Sequence, residues 1–314
     1  MSLVICIDTR RRQFHFIINS VTSKQDKHIK DYYQTNIMKF FLFIVAITLT
    51  IKGFTQPYVD PFHLRYTYGL KTNSAAGTPF THIYIGPDLP LKLKNNGFFV
   101  ISPVYEKWNL DSASKESWLP QVSSIALALS AIIPLDKNYW TLTVSAIPRI
   151  NGEELNFDNN FQFGGVLLAT YKKKQTLKYK FGVYANREFF GLFIIPLAGI
   201  DWHINERNNL FGVLPGKLSF EHMLNTHFYT GATFRAITNS YKLSNGNYLR
   251  IDDNQLSGFL DWYITKHAVV TGEAGYGIMR QLRSGNGYNK HYLTDYKWGD
   301  GLFIKLSASY RIRL

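Results

Sequence analysis

Cysteine is almost absent from this chain of 314 residues: there is one, Cys6, in the N-terminal leader segment. A disulfide framework, a thiolate zinc site, a cysteine nucleophile and the lipid-acceptor cysteine of a lipoprotein are therefore excluded beyond the leader. Long apolar runs are missing too. A membrane-spanning helix needs about 18 or more consecutive apolar residues, and the nearest approach, Phe40 to Ile51, is too short. Charged residues make up 18% of the chain, below the usual quarter or so. Paired-histidine helix motifs and glycine-rich phosphate loops are absent, so neither a metal nor a cofactor is expected.

What is there is aromatic and alternating. Aromatic residues reach 16%, and mean hydropathy is slightly negative although 46% of residues are apolar. Alternating apolar and polar residues produce that combination, and membrane barrels are built so, with lipid on one face of each strand and water on the other. Net charge is +13, of which residues 1–55 carry +5 and the remainder +8. Outside the leader the only tight basic cluster is Lys172-Lys173-Lys174, in a turn, so no nucleic-acid partner is expected.

Met38-Lys39, the apolar stretch Phe40 to Leu49 and the small residues before Gln56 have the form of a Sec-type signal peptide. Residues 1–37 then read as an over-called upstream segment, 38–55 as the signal peptide and 56–314 as one barrel domain. Export to the cell outer membrane is the localisation this implies.

The period-two signal is clearest at the C-terminus. Leu302, Ile304, Leu306, Ala308, Tyr310, Ile312 and Leu314 alternate with Phe303, Lys305, Ser307, Ser309, Arg311 and Arg313. Successive side chains of a strand face opposite sides, so one face is apolar and the other wet. The same alternation recurs in segments around 62–70, 177–187, 255–264 and 267–282. Further strands are read at 80–93, 98–107, 121–133, 139–149, 160–171, 196–204, 209–214, 217–224, 228–242 and 301–313. The expected fold is all-β, an antiparallel transmembrane β-barrel of fourteen strands, with twelve as the alternative count. Alternate connections sort into short turns and longer loops (71–79, 108–120, 150–159, 188–195, 243–254, 283–300), as in outer-membrane barrels. Pro215-Gly216 is the exception, a tight turn where a long loop is expected.

Gly164-Gly165-Val166-Leu167-Leu168-Ala169-Thr170-Tyr171, Phe211-Gly212-Val213-Leu214-Pro215-Gly216 and the alternating last strand, behind a signal peptide, resemble an uncharacterised family of Gram-negative outer-membrane β-barrel proteins, a domain of unknown function. The resemblance covers roughly residues 60–314. It implies a barrel and a location and carries no activity or functional residues. The last strand also resembles the C-terminal signal read by the barrel-insertion machinery, an expected partner alongside outer-membrane lipids, although it ends in Leu314 where many such proteins end in Phe or Trp.

The alternation nominates candidate lumenal residues: the basic Arg65, Lys178, Lys180, Arg235, Lys305, Arg311 and Arg313, and the acidic Glu221, Asp261 and Glu273. Two readings stay open for them, a salt-bridge network tying strands together and a charged constriction that filters permeants. His63 and Arg65 are expected near Arg311 and Arg313 at barrel closure, a gathering of like charge that a wet lumen or bound anions would relieve. Asp201 and His203, two apart on one strand, have the spacing of a carboxylate-oriented imidazole, but no nucleophilic serine accompanies them and no catalytic residue is assigned. Asp252-Asp253 and Asp158-Asn159-Asn160 read as loop residues. The expected function is a passive or weakly anion-preferring channel for small solutes; the alternative is a closed barrel acting as a structural or assembly component of the envelope.

Overall fold

The computed structural model describes residues 57–313 other than 71–78, 95, 111–118, 137–138, 288–291 and 297. The leader, its cleavage site and the tips of loops 71–79 and 108–120 lie outside the described residues.

Strand segments in chain order are β1 (Tyr58–Gly69), β2 (Phe80–Ile85), β3 (Leu89–Lys92), β4 (Phe98–Asn109), β5 (Val122–Pro134), β6 (Trp140–Gly152), β7 (Phe161–Lys174), β8 (Leu177–Glu188), β9 (Gly191–Asn205), β10 (Asn208–Leu214), β11 (Lys217–Met223), β12 (Phe228–Lys242), β13 (Tyr248–Tyr263), β14 (Ala268–Gly285), β15 (Tyr292–Asp295) and β16 (Gly301–Arg313). A single short helix, α1 (Phe157–Asn160), precedes β7 among the described residues.

β2 and β3 both pair with β4 and form one interrupted stave, while β15 is a short flank on the loop end of β14. Fourteen staves therefore make the wall. Each pairs antiparallel with its sequence neighbour, and β16 pairs with both β14 and β1 to close the barrel.

The burial pattern is inverted relative to a water-soluble protein. On β16, Leu302, Ile304 and Leu306 are about half exposed, while Phe303, Lys305, Ser307, Ser309 and Arg311 between them are buried. On β1, Phe62, Leu64, Tyr66 and Tyr68 face out, and Arg65 and Thr67 face in. Buried side chains across the wall include arginines, lysines, aspartates and glutamates in number. A charged interior inside an apolar outer surface is the arrangement a bilayer imposes.

Three expected loops are corrected. Residues 188–195 are not a long loop: β8 and β9 meet through Phe189 and Phe190, and β9 begins at Gly191. Its stretch Leu192–Ala198 is apolar on consecutive residues, so alternation could not mark it as strand. Residues 248–254 are strand as well, paired with β12 on one side and β14 on the other. There Asp252 binds Arg250 and Arg283, and Asp253 binds Arg280, so polar residues that read as loop are the counter-ions of a paired hairpin. Residues 150–152 complete β6, and the loop begins only at Glu153, with α1 started by Asn156, whose side chain accepts from the Asp158 N–H.

The Pro215-Gly216 turn is real. β10 and β11 have seven residues each, whereas β9 and β12 on either side have fifteen. Gly212 permits the short hairpin: its φ is +141°, and a Cβ there would meet the Lys217 carbonyl across the strands. Pairing of β9 with β10 stops at Ala198, and pairing of β11 with β12 stops at Arg235. Above the turn, β12 remains paired with β13 but has no β11 partner, and it bridges β6 through Lys242 and Gly152.

Candidate functional site: the lumen

The interior divides into three levels. At the short-turn end, Arg311 lies between two carboxylates, 2.7 Å from Asp60 and 2.6 Å from Asp261, with its guanidinium 3.7 Å above the Tyr58 ring. Thr271 donates its hydroxyl to Asp261. Arg313 reaches Glu221 at 2.8 Å, donates to the Tyr263 hydroxyl and lies over Tyr229. Asn209 donates to Glu221 as well, and Lys180 is 2.7 Å from Asp201. Each of these charges is removed from bulk water at a cost of several kcal/mol that close pairing offsets. Of the like charges expected at the closure, Arg311 and Arg313 carry their own carboxylates, whereas Arg65, among the described residues, does not. His63 is hydrogen-bonded to Ser309 at 2.8 Å, and Arg65 lies one register step deeper, opposite Ser307.

Asp201 and His203 do not form a dyad. Asp201 holds Lys180, and the His203 ring is hydrogen-bonded to Asn209. Among the described residues no group of three histidine, cysteine or acidic side chains gathers as a metal site.

At the loop end the interior is filled. Phe80, Trp108, Leu110, Leu119, Val122, Tyr241, Leu249, Ile251, Leu282 and Trp298 form an apolar cluster drawn from both sides of the wall. β12 is held across this end by a polar clamp. Glu188 accepts from the Ser240 N–H at 3.0 Å and its hydroxyl at 2.6 Å; the Phe189 N–H donates to Ser240 Oγ at 2.9 Å. Asn151 donates to the Ser240 carbonyl, while Asn239 and Tyr241 both donate to Glu106. Glu106 also meets His82, which stacks on Trp108 at 3.8 Å.

Between these levels lies a cavity of about 810 Å³. Its lining includes Tyr58 and Asp60, the apolar Val166, Leu168, Phe193, Ile195 and Leu197, and the cationic Arg65, Lys217 and Arg235. The Arg65 guanidinium sits 4.5 Å above the Tyr84 ring. No carboxylate lies within ion-pair distance of Arg65, Lys217 or Arg235 among the described residues, and the Nε atoms of both arginines are buried without a hydrogen-bond partner. The carboxylates that reach the cavity are engaged elsewhere: Asp60 by Arg311, Glu106 by His82, Asn239 and Tyr241, and Asp88 by the Ser102 hydroxyl at 2.6 Å.

Of the residues nominated by alternation, Lys180, Glu221, Asp261, Glu273, Lys305, Arg311 and Arg313 are in ion pairs; Lys305 and Glu273 meet at 2.5 Å, with Ser257 donating to the same carboxylate. Arg65 and Arg235 line the cavity. Lys178 is half-buried near the short-turn rim, opposite Asp201 in register, and is not part of the cavity wall. Sequence reasoning missed Lys217, because it abuts the Pro-Gly turn, and the apolar wall of β9, because its residues do not alternate. The same lack of alternation from Leu192 to Ala198 was the available signal: a strand apolar on both faces implies an apolar patch inside.

Residues 93–312 match the family described as a domain of unknown function, DUF6268. No curated protein matches the chain in sequence. Among solved structures, a NanC porin is 10% identical, covers 80% of this chain and 100% of its own, with a TM-score of 0.39. A KdgM porin in complex with disordered oligogalacturonate is 8% identical over 79% of this chain and 98% of its own, at a TM-score of 0.36. The toluene transporter TodX of P. putida is 12% identical over 81% and 89%, at 0.34. The barrel described above rests on its own strand pairing and burial, independently of these neighbours.

Proposed function

The chain belongs to the DUF6268 family, and we propose that it is an outer-membrane barrel that passes small solutes through a lumen favouring anions. One observation carries the reading: a cavity inside the barrel presents Arg65, Lys217 and Arg235, none with a carboxylate partner. Unpaired cations in a partly desolvated site are unfavourable unless solvent or a bound anion completes them. The outer surface of leucine, isoleucine, phenylalanine and tyrosine supports placement in a bilayer, and the even strand count with one set of short turns supports the outer membrane, the short-turn end facing the periplasm.

The test is single-channel recording of the full chain in a planar bilayer, with a reversal potential under a KCl gradient. Discrete openings with a chloride-leaning reversal are expected, and replacing Arg65 and Arg235 by glutamine moves the reversal toward potassium. A folded, heat-modifiable barrel that never conducts would sink the channel. The second reading would then stand, that of a closed envelope scaffold, which the apolar cluster around Trp108 and Trp298 at the loop end favours.

A further inference from the structure

We propose that the gap between β9 and β12 is a lateral window through which the cavity takes and releases an amphipathic anion, a molecule with an apolar body and a carboxylate-type head. This rests on the reading of the chain as a membrane barrel and names the ligand class of the same cavity.

The window is framed by observed contacts. Its sill is the Pro215-Gly216 turn, whose two carbonyls accept from the Ala236 N–H at 3.1 and 3.2 Å. Its lintel is the Glu188–Ser240 and Phe189–Ser240 hydrogen-bonded contact. Its jambs are β9 from Gly191 to Leu197, paired with β8 alone, and β12 from Ala236 to Asn239, paired with β13 alone. Seven residues at ~3.3 Å rise and ~40° tilt climb roughly 18 Å, short of an apolar band about 25 Å tall. The sill therefore lies within the bilayer, and Leu192 and Ile194 above it remain strongly exposed on the outer face.

Open strand edges are not tolerated against lipid, but they are tolerated where they line a cavity. Pro196 falls on this edge and removes one N–H that would need a partner, as prolines in edge strands do. The inner face of β9 at the window is Phe193, Ile195 and Leu197, met by Val166 and Leu168. Lys217 and Arg235 are register partners directly at the sill, and Arg65 lines the same cavity. Apolar wall above and cations below fit one occupant, an acyl or aryl chain lying along β9 with its carboxylate lowered onto Lys217 and Arg235. The volume suits a ligand of that size.

The experiment is photocrosslinking of the full chain in phospholipid nanodiscs with a diazirine-bearing decanoic acid, adducts being mapped by mass spectrometry. Adducts are expected on Phe193, Ile195, Leu197 or Ile237. Unlabelled decanoate should compete about tenfold better than decanol, and the K217Q/R235Q pair should weaken labelling by about tenfold, the value of one charged hydrogen bond. Ala236→Trp at the sill should slow labelling of the lipid-dissolved probe; Ala236→Leu, a smaller change, should slow it less, with heat modifiability of both showing that the barrel is intact. Labelling only on lipid-facing Leu192 and Ile194, or equal competition by decanol, overturns the proposal. So does complete displacement by inorganic phosphate alone, which would make the cations a simple ion site. Labelling rates unchanged in both Ala236 variants overturn the window as the route. Conductance of the same preparation separates the two readings: openings without lumenal labelling defeat the window and spare the channel, and lumenal labelling of a silent barrel does the reverse.

Discussion

Arg280 and Asp253 are nearly inaccessible, 2.8 Å apart, with the guanidinium also lying 5.0 Å from the Phe80 ring centre. Removing one partner leaves the other charged and buried, whereas removing both leaves only a packing defect. Asp253→Asn is therefore expected to cost about 3–5 kcal/mol, and the double variant with Arg280→Met to recover a large part of it. Urea unfolding in lipid vesicles measures both, and a double variant no better than the single would show that the pair contributes through packing alone. Glu188 makes a related case: it accepts twice from Ser240 and once each from Asn186 and Gln162, so Glu188→Ala is expected to cost more than Glu188→Gln, which keeps one acceptor. At this scale the sequence showed which residues face inward, since alternation alone decides that. Their partners were not legible, because Arg313 finds Glu221 across 92 positions of chain and Arg311 finds Asp60 across 251. The unpaired state of Arg65 and Arg235 is likewise a property of what surrounds them.

For the strands, the two faces carry opposite penalties. Leu306→Arg, on the outer face of β16, is expected to cost about 2–4 kcal/mol near the bilayer midplane, falling toward the interfaces. Ser307→Ala, one residue away on the inner face, should change stability by less than about 1 kcal/mol. A pair of equal effects in vesicle unfolding would contradict the inside-out assignment. In the β10–β11 hairpin, Gly212→Ala forces an L side chain into a positive-φ position and against the Lys217 carbonyl, with an expected loss of about 1–3 kcal/mol. Fourteen staves and the anomalous Pro215-Gly216 turn were readable from period-two patterning and turn residues. The loop ends of β9 and β13 were not, for different reasons: one is apolar on consecutive residues, and in the other the polar run Asp252-Asp253-Asn254 interrupts the alternation that Leu249 and Ile251 begin. A strand announces itself only where its two sides meet different solvents.

Taken as a whole, the barrel is open to its surroundings unevenly. The loop end is stoppered by the cluster around Trp108 and Trp298, the short-turn end is ringed by arginine–carboxylate pairs, and the cavity between them meets the outside at the short hairpin. If solutes also cross the loop end, loosening the stopper should raise the fraction of time spent conducting. Trp298→Ala is expected to do so while lowering stability by about 3–5 kcal/mol, and bilayer recording alongside unfolding checks both.

The order of the staves has a consequence for time as well as for shape. Nearly every neighbouring pair in the wall is also adjacent in sequence, so each hairpin can form as soon as its two strands exist. The joint of β1 with β16 is different, bringing His63 to Ser309 across 246 positions. Loop-closure entropy is concentrated in that one late event, since long-range pairings are slow to find. Weakening the joint should therefore slow the assembly of the barrel, and weakening a hairpin should chiefly quicken its collapse. The seam acts as the clock of folding, and the rest of the wall sets how long the folded barrel lasts.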